Sequence, residues 1–264
     1  MKAMILAAGL GTRLRPLTDT RPKALVELSG RTLLEITLTR LRTFGITEFI
    51  INVHHFADQV TDYLKSKNNF GLRIEISREE ILLDTGGGLK KAAWFFLEDP
   101  KSLDEPFLLH NVDVISTIDL ARMLQFHKEH RALATLAVQS RDSGRQLLFD
   151  NDLQLCGRRT TEPREGTTLV VPNSTEKFRA SAPEGKSSQT LQPFAFSGIH
   201  LISSRLLPML TEEGIFSIIP SYLRLAAQGQ KILAFRADNY YWRDLGRPTD
   251  LSQAALDFQR KVFQ

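Results

Sequence analysis

The run AMILAAGLGTR, residues 3–13, decides the fold of this chain. Its apolar start, Ala3–Ala7, has the length and character of a buried strand. Gly9 and Gly11 follow, and glycine permits backbone conformations and close ligand approaches that side chains prevent. A buried strand that opens into a glycine turn predicts a β-α unit whose main-chain N–H groups point at a phosphate. The candidate phosphate-binding residues of this turn are Leu6, Ala7, Ala8, Gly9, Gly11, Thr12 and Arg13.

Outward from this turn, short apolar runs alternate with longer segments of helical period. Strand-like runs occur at residues 48–53, 72–77 and 107–109, after an extended segment at Ala24–Leu28. Helical periods occur at residues 32–44, 56–65, 87–96 and 118–130. This alternation is typical of β-α-β units around a mostly parallel sheet, and it predicts an α/β fold.

Beyond about residue 130 the pattern changes to successive strands. Strand-like runs occur at residues 132–139, 146–149, 153–156, 194–202, 231–235 and 240–242, and helical segments at 215–227 and from Pro248. Residues 159–192 are rich in Ser, Thr, Glu, Pro and Gly, which predicts a long irregular loop. Because no repeat or linker divides the chain, we expect one domain at 1–264, with a nucleotide-binding half at 1–130 and a substrate-binding half at 131–264.

Composition excludes several classes of protein. The net charge of +4 is diffuse, with no run of five basic residues, so nucleic acid is not expected as a partner. No apolar stretch reaches the length of a membrane span or a secretory signal, and we expect a cytoplasmic protein that does not bind membranes. The single cysteine, Cys156, cannot form an internal disulfide or a zinc cluster.

Two cations, Arg13 and Lys23, follow the glycine turn. A guanidinium group can bind two phosphate oxygens at once, and an ammonium group supplies a compact charge, here on a segment stiffened by Pro22. The turn is not a P-loop, because no Gly-Lys-Ser/Thr follows, and it lacks the third glycine of the dinucleotide fingerprint. The spacing therefore favours a small polyanion such as a nucleoside triphosphate. The alternative is a structural turn with two solvated cations.

A second glycine cluster lies in the run Asp84-Thr85-Gly86-Gly87-Gly88. Three consecutive glycines at the start of a helix cost backbone entropy, so we expect another group to pack closely against the surface that lacks side chains. A flat nucleobase or ribose is one candidate occupant. A tight contact between the helix and the sheet is the alternative.

Two aspartates are candidates for a metal site. Asp113 follows the strand-like run at 107–109, where ligands of open α/β sheets bind. Mg²⁺ takes one or two protein carboxylates and completes its octahedron with water and phosphate oxygens. Asp244, between a short strand and a helix, is the candidate for the second carboxylate. A helix N-cap or a turn is the alternative role for Asp113.

The run GLGTRLRPLT at residues 9–18, followed by PKAL at 22–25, resembles the signature of the sugar-nucleotide pyrophosphorylases, which are nucleotidyltransferases that act on sugar 1-phosphates. The resemblance implies a Rossmann-like α/β/α sandwich of the nucleotide-diphospho-sugar transferase type, with a mostly parallel mixed central sheet. It also implies nucleotidyl transfer from a nucleoside triphosphate to a sugar 1-phosphate, with release of pyrophosphate. In that family the arginine at the position of Arg13 grips the triphosphate, and the lysine at the position of Lys23 lies beside the phosphate under attack.

Other segments resemble motifs of the same family. The run at 84–88 resembles its base-recognition loop, in the branch that contains N-acetylmuramate 1-phosphate uridylyltransferases and mannose 1-phosphate guanylyltransferases, which implies UTP or GTP. The nucleotide-binding residues implied there are Glu79, Thr85, Gly86 and Gly87. The segments at 111–113 and 242–247 resemble the family's Asn-Gly-Asp and Trp-x-Asp-x-Gly-Thr motifs, which implies Mg²⁺ ligation by Asp113 and Asp244. Asn111 and Gly198 are the implied sugar-binding residues, in keeping with a sugar-binding half at 131–264.

The chain departs from these motifs at two positions. Val112 stands where glycine is usual, and Arg247 stands where threonine is more common. A valine would be strained if that position required a positive φ, and a catalytically weak regulatory paralogue that binds nucleotide sugar is therefore an alternative. A metal-dependent glycosyltransferase is a further alternative, although its usual metal motif is Asp-x-Asp and this chain has an amide, Asn111, at the first place.

Remaining polar motifs receive weaker interpretations. The pair Glu176-Lys177 resembles a pair that contacts sugar phosphate in some relatives, but it lies in the irregular loop and lacks the following proline, and it is given no role. His54, His55 and His200 have no carboxylate or cysteine partner at metal-ligand spacing, so packing or surface roles are expected.

Overall fold

The computed structural model describes residues 1–98, 105–161, 167–170, 191–260 and 262. The strands, in chain order, are β1 (Lys2–Leu6), β2 (Glu27–Leu28), β3 (Arg31–Thr32), β4 (Glu48–Val53), β5 (Arg73–Arg78), β6 (Pro106–Asn111), β7 (Val114–Ser116), β8 (Ala134–Gln139), β9 (Arg145–Phe149), β10 (Leu155–Thr161), β11 (Thr167–Val170), β12 (Gln192–Ser203), β13 (Ile232–Arg236) and β14 (Trp242–Asp244). The α-helices are α1 (Leu33–Thr43), α2 (Ala57–Ser66), α3 (Asp84–Lys91), α4 (Ala93–Phe96), α5 (Leu120–His130), α6 (Ile218–Ala227) and α7 (Pro248–Gln259).

Parallel strands form the part of the sheet nearest the glycine turn. β1 lies between β4 and β6, and β5 pairs with the outer side of β4, all in parallel. The register places Leu6 beside Asn52 on one side and Asn111 on the other. The carboxyl ends of these strands therefore meet at one edge, which is where the turn after β1 begins.

Antiparallel strands complete the sheet. β12 pairs antiparallel with β6, β8 and β9, and β10 extends the sheet from β9 to β11. β13 returns parallel to β8. The expected change from β-α units to successive strands near residue 130 is confirmed, and so is the mixed α/β sheet.

Both faces of the sheet are covered. Along β1, Ala3 and Ile5 belong to a core shared with α1, α2 and α5, whereas Met4 belongs to a core shared with α3, α4 and α6. This alternation follows from the pleat, which turns successive side chains to opposite faces. The arrangement is the expected α/β/α sandwich.

Two segments differ from their predictions. Ala24–Leu28 is not one extended run, because residues Lys23–Leu25 form a 3₁₀ turn that begins after Pro22, with Leu25 N donating to Pro22 O at 2.9 Å. The irregular loop predicted at 159–192 begins with ordered backbone, since β10 continues to Thr161 and pairs antiparallel with β11. The Glu176-Lys177 pair lies outside the described residues.

No α-helix in the described ranges is both long and apolar enough to cross a lipid bilayer.

Three histidines lie inside the protein. His110, His127 and His200 are buried, and their imidazoles contact Asn111 O, the hydroxyls of Thr135 and Ser203, and the hydroxyl of Tyr222. Burial lowers the pKa of His110 and His127 to about 4 and that of His200 to about 3, because the interior solvates the imidazolium form poorly.

These histidines should make the fold sensitive to mild acid. Since each pKa is lower in the folded state, the unfolded chain binds more protons between about pH 6.5 and pH 4, and stability falls as the pH falls through that window. We expect the free energy of unfolding, from urea titrations, to drop by up to about 1.4 kcal/mol per pH unit for each histidine. His127→Gln should reduce the change of the unfolding free energy with pH by the contribution of one histidine. An unchanged pH dependence would contradict the lowered pKa of His127.

Candidate active site

A two-stranded ribbon brings the two candidate aspartates together. β14 pairs antiparallel with β7, so Asp244 lies opposite Val114, the residue that follows Asp113. The ribbon is closed by a hydrogen bond in which Leu245 N donates to Asp113 O at 2.8 Å. Leu245 is fully buried in a small core with Leu14 and Ile115, which ties the ribbon to the glycine turn. The two carboxylates are therefore neighbours in space, although the rest of the substrate-binding half separates them in sequence.

Lys23 forms an ion pair with Asp113. The Nζ atom contacts Asp113 Oδ2, and both side chains are mostly shielded from solvent, with 12% and 13% exposed. The 3₁₀ turn after Pro22 places Lys23 beside Asp113, and Gly11 of the glycine turn packs against Lys23 Cβ. The ammonium group is thus held at the carboxyl edge of the sheet, beside the first aspartate.

Arg13 approaches the second aspartate across Gly246. A methyl group added to Gly246 would lie 2.7 Å from Asp244 Oδ1 and 2.9 Å from Arg13 Nη2. Gly246 N also donates to Asp244 Oδ1 at 2.7 Å. The absence of a side chain at Gly246 therefore lets the guanidinium group and the carboxylate come close to each other.

The two carboxylates and the two cations of this cluster act on one another electrostatically. Burial raises the pKa of Asp244, the charge of Asp113 raises it further, and Lys23 and Arg13 act in the opposite direction. Two neighbouring carboxylates repel each other, and a divalent cation relieves that repulsion. The described ranges contain no group of three or more His, Cys, Asp or Glu side chains suited to a metal. A pair of carboxylate side chains is a donor set that Mg²⁺ accepts, since this ion takes its other ligands from phosphate and water.

The two glycines of the first turn have different surroundings. Gly11 has a φ of 65°, and a methyl group on it would lie 2.9 Å from Thr18 Cγ2 and 3.3 Å from Lys23 Cβ. Gly9 has no atom within 4 Å of the same position. Gly11 is therefore needed to build the turn against Lys23, while Gly9 presents bare backbone to open space. The turn is anchored by Ala7 N, which donates to Asn52 Oδ1 at 2.8 Å.

The second glycine cluster has packing partners within the chain. Methyl groups on Gly86 and Gly87 would collide with Phe216 and with the backbone of Gly214, and one on Gly88 would lie 2.7 Å from Glu79 Oε1. The amides of Gly86 and Gly87 both donate to Phe216 O, at 2.9 and 3.1 Å. Tight packing accounts for all three glycines. Gly86 and Gly87 pack against the segment before α6, and Gly88 packs against Glu79.

Glu79 and Thr85 are also engaged by the protein. The buried carboxylate of Glu79 accepts from Asn52 Nδ2 at 2.7 Å and from Leu83 N at 3.0 Å. The hydroxyl of Thr85 accepts from Ile218 N at 3.0 Å, at the start of α6. The nucleotide-binding roles of Glu79, Thr85, Gly86 and Gly87 remain predictions.

The candidate sugar-binding residues meet at the boundary of the two halves. Gly198 has a φ of 73°, and a methyl group there would lie 2.8 Å from Asn111 Nδ2. β12 shifts its register on β8 between Phe196 and His200, so the strand is irregular where this glycine lies. Asn111 ends β6, two residues before Asp113, so both candidates lie close to the first aspartate along the chain or in space.

The departure at Val112 does not distort the turn. Val112 is not among the residues of positive φ in the described chain, its side chain is 3% exposed within the main core, and its amide donates to Leu6 O at 3.1 Å. A valine therefore fits this turn position without a positive φ. Arg247 is exposed and precedes α7 without a side-chain cap.

Two residues of this region escaped the sequence analysis. Asn52 binds both Ala7 N and Glu79, and the signal for it was a polar residue within an otherwise apolar strand. Arg141 lies in the loop after β8, and no motif pointed to it. His54 and His200 hydrogen-bond to Glu79 O and to Tyr222, so packing roles account for them.

Comparison with known proteins gives a consistent picture. Residues 2–146 match the family model described as nucleotidyl transferase. The chain is 33% identical, over 256 residues, to the N-acetylmuramate alpha-1-phosphate uridylyltransferase of Caulobacter vibrioides, covering 93% of this chain and 92% of that protein. It is 28% identical to the mannose-1-phosphate guanyltransferase of Candida albicans, covering 95% of this chain and 62% of that protein.

A solved structure shares the fold. The crystal structure of HddC from Yersinia pseudotuberculosis, complexed with GMP-PN, superimposes with a TM-score of 0.70 at 21% identity, covering 97% of this chain and 99% of that chain.

Substitution of the two turn glycines should separate folding from binding. We expect Gly11→Ala to lower the free energy of unfolding by about 1–3 kcal/mol, because alanine is strained at positive φ and meets Thr18 and Lys23. Gly9→Ala should leave stability within about 0.5 kcal/mol, yet reduce the rise in melting temperature caused by nucleoside triphosphate, because its methyl group occupies the open side of the turn. A stable Gly11→Ala, or unimpaired nucleotide binding by Gly9→Ala, would contradict this division.

Restoring the usual glycine at Val112 should harm the protein. We expect Val112→Gly to lower the free energy of unfolding by about 2–4 kcal/mol, because a buried side chain is lost and the backbone gains freedom in the unfolded chain. The free energy of unfolding of Val112→Ala, measured by urea titration, should lie between those of the wild type and Val112→Gly. A gain in stability for Val112→Gly would show that valine strains the turn.

Proposed function

The chain belongs to the nucleotidyl transferase family, and from this we propose that it transfers the nucleotidyl group of a nucleoside triphosphate to a sugar 1-phosphate, with release of pyrophosphate. The observation that carries the proposal is the cluster of Arg13, Lys23, Asp113 and Asp244 at the carboxyl edge of the parallel strands. Such a cluster suits a phosphate chain, because phosphate oxygens can pair with the two cations and can also act as metal ligands.

The reaction needs positioning and charge neutralisation more than a covalent nucleophile. An oxygen of the sugar 1-phosphate attacks the α-phosphorus in line, and pyrophosphate leaves on the opposite side. Arg13, on the exposed side of the turn, is placed to bind the triphosphate, while Lys23 is placed to neutralise charge on the phosphate under attack. Because the attacking phosphate is already ionised, no strong general base is required.

Asp113 and Asp244 are the residues that would hold Mg²⁺. When bound, the ion would neutralise phosphate charge and help to hold the reacting groups in line. With a metal held by Asp113 and Asp244, Lys23 would be able to neutralise a phosphate oxygen in place of Asp113. The ion pair with Asp113 keeps the Lys23 ammonium group at the site.

UTP or GTP is proposed as the donor. The relatives just described include a uridylyltransferase of a muramate 1-phosphate and a guanyltransferase of mannose 1-phosphate, and the solved structure holds a guanine nucleotide analogue. The muramate enzyme is matched over nearly its whole length, which favours UTP and an amino-sugar phosphate as the first pair to test.

The regulatory alternative loses its main support. It rested on strain at Val112, and that residue has no positive φ and is buried in the core. The glycosyltransferase alternative predicts consumption of a finished nucleotide sugar rather than of a nucleoside triphosphate.

A matrix of substrates tests the proposal. The four nucleoside triphosphates are each mixed with glucose, mannose, N-acetylglucosamine, N-acetylmuramate and heptose 1-phosphates in the presence of Mg²⁺, and pyrophosphate is measured. We expect one pair to react far faster than the others. If no pair reacts while nucleotide still raises the melting temperature, the enzymatic function is rejected in favour of the regulatory one.

Substitutions at the cluster should affect turnover with the best pair. We expect Asp113→Asn and Asp244→Asn each to abolish Mg²⁺-dependent turnover, since either change removes a negatively charged ligand that neutralises and positions the ion. Lys23→Ala should lower the rate by at least roughly 100-fold, the scale of losing one charged stabilising contact. Asp62→Asn, an exposed change on α2, serves as the control and should keep the wild-type rate. Wild-type rates in either cluster aspartate variant would reject the metal assignment.

A further inference from the structure

Arg141 is a half-buried cation of the substrate-binding half without a carboxylate partner among the described residues. It lies in the loop between β8 and β9. The structure gives it no ion pair with any described residue, and its Nε atom is buried without a hydrogen bond among those residues. Burying a guanidinium group in this way is costly unless something compensates for it.

The protein nevertheless holds this guanidinium group in a fixed orientation. Its Nη2 atom donates to Phe196 O at 2.7 Å, and its Cζ atom lies 3.7 Å from the centroid of the Trp242 ring. Trp242 is itself fixed, because its Nε1 atom donates to Ser197 O at 2.7 Å. A guanidinium group that lies over an aromatic ring and donates to one carbonyl is held in place for a charged contact.

The position of Arg141 is next to the reaction centre. Trp242 lies two residues before Asp244 on β14, and Phe196 lies two residues before Gly198 on β12. Asp244 is also near enough to act electrostatically on Arg141. Arg141 therefore contacts both β14, which carries Asp244, and β12, which carries Gly198.

We propose that Arg141 binds an anionic oxygen of the acceptor sugar phosphate and so acts as a specificity-determining residue for the reaction proposed above. Arg141 forms no ion pair with a described carboxylate, although Asp244 acts on it electrostatically. Its guanidinium group is held over Trp242 and against β12, the strand that carries Gly198. The anionic oxygen belongs either to the 1-phosphate group or to a carboxylate carried by the sugar. Both have the charge and geometry that a guanidinium group recognises.

The test compares Arg141→Gln and Arg141→Lys with the wild-type protein. Arg145→Gln is the matched control, because Arg145 is an exposed arginine at the start of β9. The probes are N-acetylglucosamine 1-phosphate, N-acetylmuramate 1-phosphate, which adds a lactyl carboxylate, and UTP or GTP. Binding is measured by calorimetry, and the KM of each substrate is measured wherever turnover occurs.

We expect Arg141→Gln to weaken sugar phosphate binding roughly 10- to 100-fold, the scale of a charge-assisted contact, while nucleotide binding stays within about 2-fold. Arg141→Lys should recover only part of the loss, since it restores the charge without the stacked plane. A loss with both sugar phosphates identifies the 1-phosphate as the contact, and a loss with the muramate alone identifies the carboxylate.

Three results would overturn the proposal. They are unchanged sugar phosphate binding in Arg141→Gln, an equal loss for sugar phosphate and nucleotide, and an absence of sugar phosphate binding in the wild-type protein. The proposed function can fail separately. If wild-type protein binds sugar phosphate through Arg141 but releases no pyrophosphate with any pair, the binding role of Arg141 is supported and the proposed nucleotidyl transfer is rejected.

Discussion

The pairing of β7 with β14 is the constraint on which the rest of the site depends. Without it, Asp113 would end a parallel strand alone, and Asp244 would lie in a distant connection before α7. The pairing also fixes Gly246, across which Arg13 reaches the second carboxylate. The small core that contains Leu14, Ile115 and Leu245 connects the ribbon with the glycine turn. One short stretch of backbone pairing therefore holds parts of both halves of the chain in register.

The charges that this ribbon assembles explain why the site suits a phosphate chain and a divalent cation. Burial and, to a smaller extent, the negative charge of Asp113 raise the pKa of Asp244, and Lys23 and Arg13 offset only part of this effect. A divalent cation relieves the repulsion between the carboxylates, and the phosphates of a nucleotide neutralise the cations. Arg141 adds a further positive charge within the electrostatic reach of Asp244.

The sequence predicted the parts of this arrangement that depend on local pattern. The strand before Gly9, the α/β alternation and the change near residue 130 follow from periodicity, and the two aspartates were found because they follow strands. The three glycines at 86–88 show the limit of such reasoning. A bare helix start can face a ligand or another segment, and only the fold revealed that Phe216 and Gly214 fill the space. Arg141 was missed because its role depends on the long-range contacts with Phe196 and Trp242, which leave no local pattern.

The most direct test of the account follows the phosphorus atoms of the donor. The reaction is run with the preferred nucleotide and sugar 1-phosphate, labelled in separate experiments at the α- and γ-phosphorus, with wild-type protein and with Asp244→Asn. The account predicts that in the wild type the α label enters the nucleotide sugar and the γ label leaves in pyrophosphate, and that Asp244→Asn forms neither product. Transfer of the γ label to the sugar, or release of label as inorganic phosphate alone, would contradict attack at the α-phosphorus and with it the assigned chemistry of the site.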